Sequence, residues 1–168
     1  MTERRILGSL RAADGVGVVR IEDRYDTGID DLWAAITDPD RVARWYGRVD
    51  GDLRLGGQFH LFVDGSEWDG TGVVEACEPP RHLQVRTKEA AEPYEEVIEA
   101  TLTADGDQTV LVIEARGMPL DKVAFYGAGW QMHAEDLAAY LAGRDRADAG
   151  KRFGELVPSY QQQAAGLA

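Results

Sequence analysis

Residues 16–36 read VGVVRIEDRYDTGIDDLWAAI, and the spacing of the apolar side chains changes halfway along this stretch. The first ten residues alternate between apolar and polar, which predicts a β-strand with one buried face. That face carries Val19, Ile21 and Tyr25. From Ile29 to Ile36 the apolar residues stand three and four apart, behind two aspartates that suit a helix N-terminus. A strand followed by a short helix is therefore the expected start of the fold.

The segment Thr37-Asp38-Pro39 predicts that this helix ends and that another begins at once, because proline is well tolerated in the first turn of a helix. The second short helix carries Val42, Trp45 and Tyr46.

Turn residues recur at short intervals after residue 47, which predicts consecutive antiparallel strands. The strands are expected near residues 48–54, 57–63, 68–77, 82–88, 94–103 and 108–116, which makes about seven with the strand at 16–25. The turns between them include Leu55-Gly56-Gly57, Val63-Asp64-Gly65, Glu78-Pro79-Pro80 and Ala104-Asp105-Gly106-Asp107. No strand is followed by a helix long enough for a parallel crossover, so a doubly wound nucleotide-binding fold is disfavoured.

Helical spacing returns over residues 121–142, and Gly143 is a suitable stop. This long helix is expected to cover the apolar face of the sheet, because a sheet with one apolar face must bury it. We therefore expect one domain over residues 1–143. Residues 144–168 are expected to form an extension that docks back on the domain, with Pro158 interrupting its regularity.

Composition narrows the classes of partner. The chain has 18 basic and 30 acidic residues, a formal net charge of −12, which disfavours nucleic acid and anionic membrane as partners. No apolar run approaches the roughly 20 residues that span a bilayer, and the start lacks the apolar core of a signal peptide, so we expect a cytoplasmic protein. A single cysteine, Cys77, allows no internal disulfide and no multi-cysteine metal site.

Several short motifs occur together in a recognisable order. They are Leu32-Trp33 with the following Ala34 to Pro39, Val42 to Tyr46, Gly51 to Phe59, Gly70 to Glu75 leading to Glu78 to Leu83, and Gly129-Trp130. In these motifs the chain resembles the START-like, or SRPBCC, superfamily, and within it the branch named after the activator of the heat-shock protein 90 ATPase. The resemblance covers about residues 17–143 and implies an α+β helix-grip fold, in which a curved antiparallel sheet wraps around a long C-terminal helix.

The resemblance also implies a pocket between the sheet and the final helix. Its expected ligand-binding residues are Trp45, Phe59, Leu61, Trp68, Tyr126, Trp130, His133 and Leu137. Ordinary core packing is the alternative for each of them, because large aromatic side chains dominate buried area in any domain. For His133 a satisfied core histidine is the alternative to a ligand contact or an acid–base group.

Acidic side chains offer less specific signals. Asp23 falls on the buried face of the first strand, where it needs an arginine partner unless the register is shifted by one. Glu95, Glu96 and Glu99 are interpreted as an exposed acidic edge rather than as acid–base groups. His60, His82 and His133 lack metal-ligand spacing, and neither a phosphate loop nor a serine-nucleophile elbow is present, so no metal, cofactor or catalytic residue is assigned.

Three functions remain open at this point. The first is binding of a small hydrophobic or amphipathic ligand in the cavity. The second is a chaperone-associated or other protein-interaction module, which the branch name implies. The third is a cavity enzyme of the polyketide cyclase-like type, as some relatives are, although no residue constellation compels an enzyme. Both a monomer and a homodimer are compatible with the sequence.

Overall fold

The computed structural model describes residues 6–63 and 67–167. An eight-stranded antiparallel sheet runs in the order β1-β2-β8-β7-β6-β5-β4-β3. Its strands are β1 (Gly8–Ala13), β2 (Val16–Tyr25), β3 (Gly47–Gly51), β4 (Gln58–Val63), β5 (Trp68–Glu78), β6 (His82–Glu89), β7 (Glu95–Asp105) and β8 (Gln108–Met118). The predicted helix-grip fold is confirmed, and the expected turn at Asp64-Gly65 lies outside the described residues.

One strand more is present than the alternating pattern predicted. β1 pairs with β2 through a hairpin whose turn residues, Asp14 and Gly15, both have positive φ. Two consecutive residues with positive φ form a type I′ turn, whose twist matches that of the two strands it connects. Asp-Gly is a preferred pair for this turn. The alternation over residues 8–13 is weak because this edge strand is mostly half-exposed. The turn, rather than the strand, was the signal that could have revealed β1.

Two short helices follow β2 as predicted, but the second ends at Val42, so the prediction that it carries Trp45 and Tyr46 is wrong: both lie in the turns before β3. Helix α1 (Ile29–Thr37) ends where Asp38 begins helix α2 (Pro39–Val42), and the Asp38 side chain accepts a hydrogen bond from the backbone N–H of Asp40. This aspartate cap and the proline in the first turn explain the abrupt change of direction.

The long helix α3 (Val123–Leu141) lies against the inner face of the sheet, preceded by a 3-10 turn at Leu120–Lys122. The buried Tyr25 hydroxyl of β2 donates to the Ala134 carbonyl of α3 at 3.0 Å. At Gly17 a Cβ atom would lie 2.7 Å from Val123, so β2 and α3 approach too closely for a side chain there. Gly143 has the positive φ expected of a helix stop.

A fourth helix, α4 (Ala149–Ala164), packs on α3 and β1. Leu156 and Tyr160 of α4 are fully buried against Ala124 and Ala128 of α3. The helix continues through Pro158 instead of breaking there. A proline inside a helix costs about 3 kcal/mol, and the buried residues on either side of Pro158 offset that cost. Among the described residues, no helix is long and apolar enough to cross a membrane.

Candidate functional site

A cavity of about 270 Å³ lies between α3 and the inner face of the sheet. We call it the main cavity. Aromatic side chains make up much of its wall: Tyr46, Trp68, Phe125, Tyr126, Trp130 and Phe153. The polar side chains in the wall are Thr87, Glu89, Glu96 and His133. A smaller space of about 110 Å³, the inner void, shares Tyr46, Leu61, Thr87, Ile98 and Trp130 with the main cavity and is otherwise lined by apolar side chains.

The structure distributes the expected ligand-binding residues over three places. Leu61, Trp68, Tyr126, Trp130 and His133 line the main cavity. Trp45 and Phe59 line the inner void, together with Leu61 and Trp130. Leu137 lines neither space: it is fully buried in the same core cluster as Ile21 and Leu32. For Leu137 the structure therefore favours core packing, the alternative that the sequence left open.

Trp45 also has a clear structural role. Its indole N–H donates to the Ala35 carbonyl at 2.9 Å, which ties the segment after α2 to α1. An indole N–H that is already satisfied within the protein cannot serve a ligand. Trp45 therefore offers the inner void an apolar ring face.

His133 stands within a group of aromatic rings. Its ring meets that of Tyr46 edge to face at 4.6 Å, and Tyr46 in turn stacks on Trp130 at 5.8 Å. The Nδ1 atom of His133 is buried and has no hydrogen-bond partner among the described residues. Burial, reinforced by the positive charge of Arg146, lowers the pKa of His133 to about 4. The imidazole is therefore neutral near pH 7.

Glu96 corrects the prediction of an exposed acidic edge. On β7, Glu95 and Glu99 lie on the outer face of the sheet, where Glu95 contacts Arg86 at 3.4 Å and Glu99 contacts His82 at 2.6 Å. Glu96 points to the opposite face and is only 5% exposed. Successive side chains of a strand point to opposite faces, so the residue directly after the outward Glu95 must point inward.

The carboxyl group of Glu96 has unusual electrostatics. Burial raises its pKa from 4.5 to about 7, and the negative charge of Glu89 adds to the increase. A hydrogen bond from the Tyr126 hydroxyl opposes this shift. The hydroxyl oxygens of Tyr126 and Tyr94 are 2.5 Å apart, so the contact extends into a short chain of hydroxyl groups. Glu96 can therefore change protonation near neutral pH.

Thr87 lies directly opposite Glu96 in the pairing of β6 with β7. It is 2% exposed, and its hydroxyl oxygen has no hydrogen-bond partner among the described residues. Glu89 lies two residues farther along β6 and also borders the main cavity. Burial raises the pKa of Glu89, and the charge of Glu92 contributes.

The arrangement combines aromatic walls with a few polar groups that point into one space, which is the usual chemistry of a small-molecule site. The lining offers a carboxyl group of adjustable charge, a hydroxyl group and a neutral imidazole. Within residues 6–63 and 67–167, no cluster of three or more histidine, cysteine, aspartate or glutamate side chains has the arrangement of a metal site.

Sequence reasoning missed several wall residues. Tyr46 was assigned to the second helix, and Thr87 and Glu96 required the register of β6 and β7. Phe125 and Phe153 stack at 6.3 Å in the wall of the main cavity. Phe153 belongs to α4, and nothing in the local pattern of that segment indicates that it reaches the cavity.

Comparison with known proteins shows which families and solved structures resemble this chain. The family described as "Activator of Hsp90 ATPase homolog 1-like protein" matches residues 26–142. No curated protein matches the chain. The crystal structure of CalU16 from Micromonospora echinospora is 27% identical, with a TM-score of 0.77, and the alignment covers 94% of this chain and 95% of that one.

Two further structures have the same fold. DynU16, from the dynemicin biosynthetic locus, is 29% identical with a TM-score of 0.71, and the alignment covers 82% of this chain but only 51% of DynU16. A conserved protein from Enterococcus faecalis, EF2215, is 16% identical with a TM-score of 0.76, covering 96% of this chain and 92% of that one. At that identity the likeness is one of fold alone.

Proposed function

The chain belongs to the family of activator of Hsp90 ATPase homolog 1-like proteins, and we propose that it binds a small, largely apolar molecule in the main cavity. Folds of this kind serve several functions, so the proposal depends on the site and not on the architecture. Trp68, Tyr126, Trp130 and His133 are its principal proposed contacts, with Thr87 and Glu96 as polar contacts.

One observation carries the proposal: two buried polar atoms in one cavity wall, Thr87 Oγ1 and His133 Nδ1, lack a partner among the described residues. A buried polar group without a hydrogen bond costs about 1–3 kcal/mol. A core that served only stability would pair such groups or replace them with apolar ones. A ligand with its own hydrogen-bonding groups would satisfy these atoms if its binding displaced the neighbouring side chains that cover them.

The dimensions of the cavity limit the ligand. Binding pockets for small molecules typically measure about 300–1,000 Å³, and the main cavity of about 270 Å³ lies just below that range. A compact molecule with one or two fused rings fits such a space. The aromatic rings in the cavity wall, Trp68 and Trp130 among them, favour aromatic or other planar ring systems.

Association with a protein is the other function that the family name raises. Contiguous apolar patches at a surface commonly mark such interfaces, whereas single exposed apolar residues are common on any protein. Leu55 and Phe125 are the large hydrophobic residues exposed in the described part of the chain, and Phe125 borders the main cavity. The site therefore supports ligand binding better than it supports a docking surface.

Gly129 offers a direct test. It lies in α3 at the wall of the main cavity, and a Cβ atom added there would meet nothing within 4 Å. Gly129→Leu should therefore fill part of the cavity without a clash, while the loss of a helical glycine favours folding by about 1 kcal/mol. Gly154→Leu is the matched control, because Gly154 is an exposed glycine of α4 that also has open space around it.

The measurement is isothermal titration with 1-naphthalenemethanol, a neutral compound with two fused rings and one hydroxyl group. We expect the wild type and Gly154→Leu to bind it and Gly129→Leu to lose binding while remaining folded by circular dichroism. Equal affinity in both variants would place the binding elsewhere and contradict the proposal.

A further inference from the structure

The side chains in the wall of the main cavity are acidic or neutral, although two positive charges act on them from nearby: Lys122 on Glu89 and Arg146 on His133. The wall contains the carboxyl groups of Glu89 and Glu96, and its described residues include no lysine and no arginine. Glu96 forms no ion pair with a basic side chain of the described residues, whereas nearby Glu92 pairs with Lys122 at 2.9 Å. A buried carboxylate without a counter-charge is strongly unfavourable, so the group either takes up a proton or pairs with a cation from outside.

The remaining polar groups of the wall suit the same kind of ligand. Thr87 Oγ1, directly opposite Glu96 on the neighbouring strand, can accept a hydrogen bond once the side chains that cover it shift. The unpartnered Nδ1 of His133 accepts one as well when the proton of the neutral ring is on Nε2. An ammonium group carries donors only, so it matches a wall that presents a carboxylate and further acceptors.

The aromatic rings in the wall of the main cavity also suit an ammonium group. Tyr46, Trp68, Tyr126 and Trp130 all border the cavity. The face of an aromatic ring attracts a cation within about 6 Å of its centre, and tryptophan does so best. Rings of this kind around a carboxylate stabilise a positive charge and disfavour a negative one.

We propose that the ligand of the main cavity is a basic amine on a compact apolar skeleton, whose protonated nitrogen pairs with the Glu96 carboxylate. This inference rests on the proposed function and specifies its ligand class. It does not require any covalent step.

The proposal has a defined dependence on pH. The titratable groups around the Glu96 carboxyl are Tyr46, Glu89, Tyr94 and Tyr126, and the cavity also contains His133. Because the pKa of Glu96 is about 7, its carboxyl is mostly ionised at pH 8 and mostly protonated at pH 5.5. A primary amine stays protonated over this range. The preference of the main cavity for an amine over an uncharged molecule should therefore grow as the pH rises.

Three probes with the same ring system test the inference: 1-naphthylmethylamine, 1-naphthalenemethanol and 1-naphthoate. At pH 8 the amine should bind at least about tenfold more tightly than the alcohol, because a hydrogen bond to a charged group adds to affinity. The naphthoate should bind most weakly. At pH 5.5 the preference for the amine over the alcohol should shrink.

Glu96→Gln keeps an acceptor for the Tyr126 hydroxyl and removes the charge, so it should bind the amine and the alcohol within about twofold of each other. Glu95→Gln removes the adjacent outward charge and should keep the preference. Binding of the alcohol without preference for the amine, or tightest binding of the naphthoate, would overturn the amine inference and leave the cavity as a binding site. Failure of all three probes to bind would overturn the proposed function as well.

Discussion

The two faces of strand β7 handle negative charge in opposite ways. On the outer face, Glu99 lies 2.6 Å from His82 and 3.2 Å from Arg116, and Glu95 lies 3.4 Å from Arg86. On the inner face, Glu96 has a tyrosine hydroxyl as its hydrogen-bond partner and a second carboxylate, Glu89, nearby. The same residue type on one strand is thus neutralised by basic side chains on one face and left without them on the other.

The difference distinguishes surface chemistry from site chemistry. Exposed ion pairs contribute about 0–1 kcal/mol each, so the outer network adds solubility and a little stability. The inner groups reduce stability, because burial disfavours the charged carboxylate and leaves Thr87 and His133 with unpaired atoms. Groups that reduce stability tend to occur at functional sites.

The largest expected effect comes from the aromatic wall. Trp130 is 8% exposed and stacks on Tyr46. Trp130→Ala should lower the free energy of unfolding by about 3–5 kcal/mol, measured by urea denaturation. On the outer face, Arg86→Ala should cost about 1 kcal/mol or less, because Arg86 is half-exposed.

Trp130→Phe separates stability from binding at this position. It keeps most of the apolar volume and removes the indole N–H. A variant that melts like the wild type but binds 1-naphthalenemethanol less tightly would indicate a ligand contact, whereas unchanged binding would assign the indole N–H no part in recognition.

The second-largest expected effect is a pH-dependent gain in stability when Glu96 is replaced by glutamine. A carboxyl whose pKa is raised on folding destabilises the folded state as the pH rises from its unfolded value, 4.5, to its folded value, about 7. Glu96→Gln removes this penalty, so the variant should exceed the wild type by about 2–3 kcal/mol at pH 8 and by little near pH 4.5. Urea denaturation at the two pH values measures the difference.

Glu95→Gln is the matched control for this prediction. It removes one half-exposed charge from the adjacent position and should change stability by about 0.5 kcal/mol or less at both pH values. If Glu96→Gln behaved like Glu95→Gln at pH 8, Glu96 would not be the buried and unpaired carboxyl described here.

The smallest effect concerns two buried threonines. Thr87 Oγ1 has no partner in the described part of the chain, whereas Thr109 Oγ1 donates to the Thr27 carbonyl at 2.8 Å. Thr87→Val should leave stability unchanged or raise it by up to about 1 kcal/mol, and Thr109→Val should lower it by about 1–2 kcal/mol. Thermal denaturation of both variants compares them, and an equal loss in both would show that the Thr87 hydroxyl is satisfied within the protein.

Much of the fold could be predicted from the sequence because it depends on local periodicity. The change from two-residue to helical spacing near Ile29, the break between helices at Thr37-Asp38-Pro39 and the stop at Gly143 are all local signals, and each has its expected counterpart in the structure. β1 was missed because an edge strand buries little and its alternation is weak. The helix across Pro158 depends on tertiary packing, which local rules do not contain.

The site could be predicted only in part, for a physical reason. Large aromatic residues such as Trp68 and Trp130 are expected near any apolar pocket. The inward direction of Glu96 and its position opposite Thr87 depend on the register of β6 against β7, and a shift of one residue would reverse both side chains. Phe153 reaches the cavity only because α4 docks on α3.

A small apolar molecule that enters the main cavity should change the surroundings of the tryptophans that line it, and the chain has four tryptophans. Trp68 and Trp130 line the main cavity, and Trp33 lines neither the main cavity nor the inner void. In a proton–nitrogen correlation spectrum titrated with 1-naphthalenemethanol, the indole signals of Trp68 and Trp130 should shift to saturation while that of Trp33 stays in place. Saturating shifts that are confined to Trp33, or the absence of any shift, would contradict the account.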